Sequence, residues 1–344
     1  MTETPPAPAR PGLLRRVLRR LIRSARNVAL TLVVAWATLA IFYSPIPWTW
    51  ARIALAVAFA AFGIWALWYT DRARMRWLFL ALYAVVLVGW SFVVPSHDRD
   101  WRADVAVMPR AEVQGDRVRI TGIRNFDYRS RDDFTIHYEE REVSLSKLVA
   151  LDFFISFWQP GPIGHTFVSF VFEDAPPISV SIETRPEAHE GYDPLASMFR
   201  KYELIYVVGE ERDLVGVRTN FRGENIYAYR LRISAGAARR LFEVYLQRIN
   251  ELADRPEFYH LLSNSCTINI VRYANVAGRY GDLDIRHIFN GWVDRYFYNT
   301  RLLQEGYSFA ELRRRSRVDP TVSASEPVDE FARRIRETLP GMNP

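Results

Sequence analysis

The chain opens on three uncharged apolar runs, at about residues 27–43, 53–69 and 77–94. Each is close to the ~20 residues needed to cross a ~30 Å hydrocarbon core. Trp48, Trp50, Trp68, Tyr69, Trp77 and Trp90 stand at or near their ends, where amphipathic rings favour the headgroup region. The pattern predicts three transmembrane helices. The first run has a basic flank but no small-x-small cleavage site before the prolines that follow, so it reads as an uncleaved anchor.

After residue 95 the period changes. Residues 117–124 (RVRITGIR) and 134–139 (FTIHYE) alternate like half-buried strands. Residues 145–158 (LSKLVALDFFISFW), apolar on nearly every side, are expected to form a helix capped by Ser144 or Ser146 and ended by Gln159-Pro160-Gly161-Pro162. Further strands are expected at 165–173, 178–184, 204–209 and 227–233. Ser234 then caps an amphipathic helix carrying Leu241, Tyr245, Ile249 and Leu252 on one face. Another helix begins at or near Cys266. Strands between segregated helices predict an α+β domain on an antiparallel sheet over residues 102–317. The stretch 318–344 reads as a linker and a short charged helix.

Charge fixes the orientation rather than the partner. The formal net charge is +6, which by itself would admit nucleic acid. Seven arginines, Arg10, Arg15, Arg16, Arg19, Arg20, Arg23 and Arg26, precede the first run with no acidic residue among them. Arg72, Arg74 and Arg76 lie between the second and third runs, whereas the first loop holds only Arg52. The positive-inside rule puts the basic arm (residues 1–26) and the second loop in the cytoplasm. Three crossings (27–95) then carry the domain outside a bacterial inner membrane. No nucleic-acid partner is implied.

The one cysteine, Cys266, cannot form an internal disulfide. It follows Ser263-Asn264-Ser265, three good N-cap residues, so it falls in the first turn of a helix. Unpaired N–H groups and the helix dipole favour a thiolate there. A nucleophile needs a base as well. His165 follows Gly161-Pro162-Ile163-Gly164 and opens a strand; His260 and His287 flank the cysteine helix. Glu183, on the alternating face of Ser179 and Ser181, is the candidate group to orient an imidazole. The plainer alternatives stay open at this point: Cys266 as a small buried hydrophobe, His165 bonded to a loop carbonyl, Glu183 paired with Arg185. No metal-binding motif, HExxH or phosphate-cradling glycine loop occurs, so neither metal nor cofactor is expected. Charges inside the spans, the mark of a transport pathway, are absent.

Six blocks, in chain order, resemble one family: His165-Thr166-Phe167; Ser181-Ile182-Glu183-Thr184-Arg185; Tyr202-Glu203-Leu204-Ile205-Tyr206; Glu211-Arg212-Asp213; Asn264-Ser265-Cys266-Thr267; and Arg313-Arg314-Arg315-Ser316. The sequence is similar to the Lnb N-terminal periplasmic domain family over about residues 119–317. That resemblance implies a permuted relative of NlpC-type papain-like cysteine enzymes, with histidine before cysteine in the chain. It implies Cys266 as nucleophile, His165 as base and Glu183 as its orienting group, with Asn264, Ser265 and Thr267 in oxyanion or substrate-orienting roles. It also implies lipoprotein N-acylation, with membrane phospholipid as acyl donor and a lipoprotein amine as acceptor. Ser265 interrupts the usual asparagine-cysteine-threonine block, which bears on the role of Asn264. The apolar segment 145–158 would line an acyl channel, dip into the membrane or be a core helix.

Two other functions fit the same residues. A hydrolase of envelope peptides or amides would use water as acceptor, and a non-catalytic binding module would hold His165 and Cys266 apart.

Overall fold

The computed structural model describes residues 13–278 and 284–342; Arg10 of the basic arm and the last two residues of the tail lie outside them. The chain divides into two units at Val94 and Pro95.

The first unit holds α1 (Leu13–Phe42), α2 (Thr49–Ile64), prolonged by a π-helical turn (Trp65–Tyr69), and α3 (Ala73–Ser91). All three are long and apolar enough to span a bilayer. The first begins earlier than expected, because the arginine-rich stretch from Leu13 onward continues the same helix. Small residues let the helices approach: a Cβ on Gly63 would lie 2.8 Å from the ring of Phe79, which is wholly buried.

The second unit is mixed α and β. Its strands are β1 (Arg110–Gln114), β2 (Arg117–Arg124), β3 (Asp127–Tyr128), β4 (Phe134–Thr135), β5 (Tyr138–Ser144), β6 (Leu148–Phe157), β7 (His165–Phe172), β8 (Ile178–Arg185), β9 (Glu203–Gly209) and, after the one-turn helix α4 (Glu211–Leu214), β10 (Asn225–Arg230). The helices that follow are α5 (Ala235–Asp254), α6 (Cys266–Val276), α7 (Ile285–Ile288), α8 (Val293–Asn299), α9 (Phe309–Arg315) and α10 (Val328–Arg334). The main sheet runs β1-β2-β9-β8-β7-β6-β10, with β5 also on β2. Its pairings are antiparallel except for one parallel contact, Arg124 opposite Gly209. The sheet is therefore mixed.

Two expectations are corrected. Residues 148–157 are a strand, not a helix. Leu151, Phe153, Ile155 and Phe157 face one core and Phe154 the other, so both faces are covered and the run is apolar without alternation. The segment is an inner strand of the sheet, between β7 and β10, and not a membrane-dipping helix. Nor is 134–139 one strand: β4 pairs with β3 in a small separate hairpin before β5 begins.

Helices α5 and α6 pack on the first face. Ser234 caps α5, its side chain accepting from the N–H of Ala237 3.2 Å away, an interaction worth about 1 kcal/mol. Leu241, Phe242, Tyr245, Leu246, Ile249 and Leu252 of α5 are buried against Phe170, Phe172 and their neighbours, the Leu, Ile and Phe side chains each stabilising the fold by roughly 1.5–3 kcal/mol.

The tail covers the opposite face. Val322, Phe331, Ile335, Leu339 and Met342 are buried with Phe154, Phe167, Ile205 and Ile226. Arg336 donates from Nε to Asp152 (3.0 Å) and from Nη1 to Glu211 (2.6 Å), all three buried. Residues 318–342 are part of the folded domain, which corrects the linker reading. The stretch looks like a linker only because its few apolar residues are spaced among Ser, Glu and Arg.

Candidate active site

Strand β7 begins at His165 because the chain before it is Gly161-Pro162-Ile163-Gly164, and proline cannot donate to a ladder. Gly164 is needed for close approach: a Cβ there would stand 2.8 Å from the carbonyl oxygen of Ser156. Phe167 pairs with Ser181 in the antiparallel β7–β8 ladder, and the same register puts His165 across from Glu183.

A short relay runs behind the imidazole. Nε2 of His165 lies 2.6 Å from Oγ of Ser181, which donates to Oε1 of Glu183 at 2.7 Å. The carboxylate oxygen is itself 3.6 Å from Nε2. Because Ser181 gives its proton to Glu183, its oxygen accepts from Nε2–H. On its far side Glu183 accepts from Nη2 of Arg218 at 2.8 Å, and that guanidinium, 3 % exposed, also lies over the ring of Phe167. Burial opposes ionisation of Glu183, but Arg218 and then His165 hold its carboxyl well below the usual range.

Cys266 is the first residue of α6 and 3 % exposed. Burial alone would push its thiol up. Hydrogen bonding and charge from His165, with bonds to Thr166, outweigh this and lower it to about 6. His165 responds in the opposite sense: burial disfavours its charged form, yet Cys266 and Glu183 raise it to about 9. The opposite shifts favour the thiolate–imidazolium form of the pair, which titrates as a coupled system rather than as two independent groups. Two tyrosines feel the thiolate. Burial and then the Cys266 charge push Tyr192 up to about 12, and the same causes hold Tyr259 well above the ordinary phenol range.

The remaining sequence candidates fall into different places. Thr267 Oγ1 lies 2.8 Å from Thr166 Oγ1 and 3.8 Å from Sγ, tying α6 to β7 beside the nucleophile. Ser265 is the N-cap, with extended backbone and no side-chain cap bond. Asn264 is turned away from the site. Its Nδ2 donates to the carbonyl of Phe258 at 2.9 Å and its Oδ1 accepts from Asn269 at 3.0 Å. With Ser265 between it and the helix, Asn264 braces the preceding loop instead of reaching Sγ. Of the other histidines, His287 closes a capping box with Asp284, and His260 bonds Ser263.

The amide beside the thiol comes from Asn290. Its Nδ2 donates to Sγ over 3.6 Å and its Oδ1 accepts from the N–H of Gly164 at 2.8 Å, so one side chain spans the nucleophile and the loop that sets His165. The next residue, Gly291, donates its N–H to the carbonyl of Pro162 at 2.9 Å, and a Cβ there would come within 2.6 Å of Pro162 backbone. Sequence reasoning missed Asn290, Gly291 and Arg218. An Asn-Gly pair after an aromatic residue reads as a turn, and Arg218 sits in a polar stretch with no periodicity. The arrangement places a thiol of lowered pKa beside an imidazole, with a Ser–Glu–Arg chain behind the ring and an amide donor near the sulfur, the groups that nucleophilic chemistry would need.

Residues 134–291 match the model of the Lnb N-terminal periplasmic domain family. The matched stretch contains His165, Ser181, Glu183, Arg218, Cys266 and Asn290. It is shorter than the span of about residues 119–317 expected from the sequence. No curated protein and no solved structure matches the chain. That family is described as a periplasmic domain, and three helices of this chain are long and apolar enough to cross a membrane.

Proposed function

We propose that this Lnb-type periplasmic domain is a cysteine acyltransferase that N-acylates lipoproteins from a phospholipid donor. The observation that carries the reading is the Cys266–His165 pair, poised as thiolate and imidazolium, with Ser181, Glu183 and Arg218 in line behind it. A histidine on a strand that precedes the cysteine helix in the chain is also what a permuted papain-like site requires. The basic arm and the loop of Arg72, Arg74 and Arg76 would lie in the cytoplasm, and three crossings would place the domain outside the inner membrane.

In the first half-reaction the thiolate attacks the ester carbonyl of the phospholipid. The oxyanion that forms is met by Asn290 Nδ2 and by N–H groups at the start of α6. Collapse breaks the ester bond, and the imidazolium of His165 gives its proton to the departing lysophospholipid oxygen. The products are an acyl-Cys266 thioester and neutral His165. In the second half-reaction a lipoprotein α-amino group attacks the thioester while His165 takes its proton. The amide forms, the Cys266 thiolate leaves, and the pair is restored.

The test uses the full chain in proteoliposomes with a phospholipid of defined acyl composition. Mass spectrometry should find one acyl mass on the Cys266 peptide, labile to hydroxylamine and discharged by a lipoprotein-like amine. A Cys266→Ser variant should carry no hydroxylamine-labile acyl group. Acyl-thioester absent from the native chain would refute the transferase, and discharge to water at the same rate with or without amine would make it a hydrolase.

A further inference from the structure

Two loops that meet at the active site expose large apolar side chains. In residues 158–164 these are Trp158 (45 % exposed) and Ile163; in residues 287–293 they are Ile288, Phe289 and Trp292 (47 % exposed). The two segments are held together by Gly291 N–H to the Pro162 carbonyl and by Asn290 to Gly164 N–H, and the rings of Phe289 and Trp292 are 5.8 Å apart. Neither segment contains Asp, Glu, Lys or Arg. In a chain that is 24 % charged, that makes one uncharged apolar rim around the two residues, Asn290 and Gly164, that bracket the thiol and the imidazole.

Scattered exposed apolar residues need no explanation, but a clustered, charge-free set with two tryptophans does. We infer that this rim is a membrane-contact surface, inserting Trp158, Ile163, Ile288, Phe289 and Trp292 into the interfacial region of a lipid bilayer. Three observations select lipid over protein as occupant. The side chains are tryptophan, phenylalanine and isoleucine, the set that partitions to the level between headgroups and acyl chains. A partner protein would call for complementary charge at the rim, and these segments carry none. The tether is short: α3 ends at Ser91, and Ser96 already donates its N–H to Glu203 of the domain. Only residues 92–95 lie between the two.

The surface goes beyond the acyl-transfer reading and stands whether or not Cys266 is a nucleophile. If that reading holds, a rim seated at interfacial depth brings the ester level of a phospholipid, rather than a free headgroup, next to Sγ.

The test uses the full chain in nanodiscs whose phosphatidylcholine carries bromine just below the ester groups. Trp158→Phe/Trp292→Phe, subtracted from the native chain, isolates the emission of these two of the ten tryptophans. Their emission should fall at least twofold in brominated nanodiscs and resist aqueous iodide. Emission quenched by iodide and indifferent to bromine would overturn the proposal, as would burial against a second protein. A readout without substitution is photolabelling by a lipid bearing a diazirine near its ester. Adducts should concentrate in peptides 158–164 and 287–293, and labelling confined to the three spans would refute the surface. Both readouts are insensitive to the chemistry of Cys266, and running them on Cys266→Ala keeps the two questions separate.

Discussion

Ser181 Oγ lies 2.6 Å from His165 Nε2, closer to the ring than the carboxylate it serves. Glu183 therefore acts on the imidazole largely through a hydroxyl. Ser181→Ala removes the hydroxyl between the ring and the carboxylate, so turnover should drop roughly 10- to 100-fold, about 1.4–2.7 kcal/mol of barrier. Glu183→Gln should cost more, because it also removes the negative charge opposite the imidazolium and the buried Arg218. Single-turnover acylation rates of the two variants give the order; equal losses would mean that the serine is a bystander.

The coupled pair sets a pH window. Below about 6 the thiolate takes a proton and nucleophilicity falls; above about 9 the imidazolium loses its proton and the leaving group is no longer protonated. Acylation rate should be bell-shaped between those limits. Alkylation of Cys266 by iodoacetamide needs only the thiolate, so it should rise through about 6 and show no second limb there. In His165→Ala the rise should move to clearly higher pH, since only the bonds from Thr166 and Asn290 then oppose burial of the thiolate. An unmoved profile would break the assignment of His165 as the cause.

Asn290 should matter to chemistry and Gly291 to geometry. Asn290→Ala removes a donor near Sγ and should lower kcat by about 10²-fold, with KM nearly constant. Gly291→Ala forces a methyl group into the backbone of Pro162 and should separate the two loops, lowering kcat and raising KM together. Kinetics of both variants, beside circular dichroism to check folding, separate the two roles.

The tail should be needed for stability. Arg336→Ala leaves Asp152 and Glu211 without their shared partner in a buried setting, at a cost of roughly 3–5 kcal/mol. Thermal unfolding of the full chain should show a clear drop, whereas Arg333→Ala, in an exposed pair with Glu330, should change stability by under about 1 kcal/mol. Similar effects of the two would mean that the buried network is not what seats the tail.

Much of this architecture is written in local pattern. The spans, β2, β7, β8, β9, the Ser234 cap and the cysteine at a helix start all follow from period and capping chemistry. His165 and Glu183 could be singled out because each sits at a position of defined geometry, one at a strand start, one on an alternating face. What escaped sequence reasoning is what depends on distant partners. Strand β6 is apolar on both faces because the tail covers one of them, and no window around Phe154 contains that tail. Asn290 reaches the thiol across 24 positions, and Asn264, adjacent in sequence, is turned aside by one inserted serine.

The covering of Phe154 and Phe167 by residues 318–342 bears on the order in which the domain is assembled. A chain emerging from its N-terminus delivers His165 well before Cys266, and Cys266 well before Phe331 and Arg336. Until those last residues arrive, the face of β7 beneath His165 is open to water and Asp152 lacks one of its two arginines. The Cys266–His165 pair is thus complete in sequence before the segment that covers the face of the sheet opposite α6 has been made.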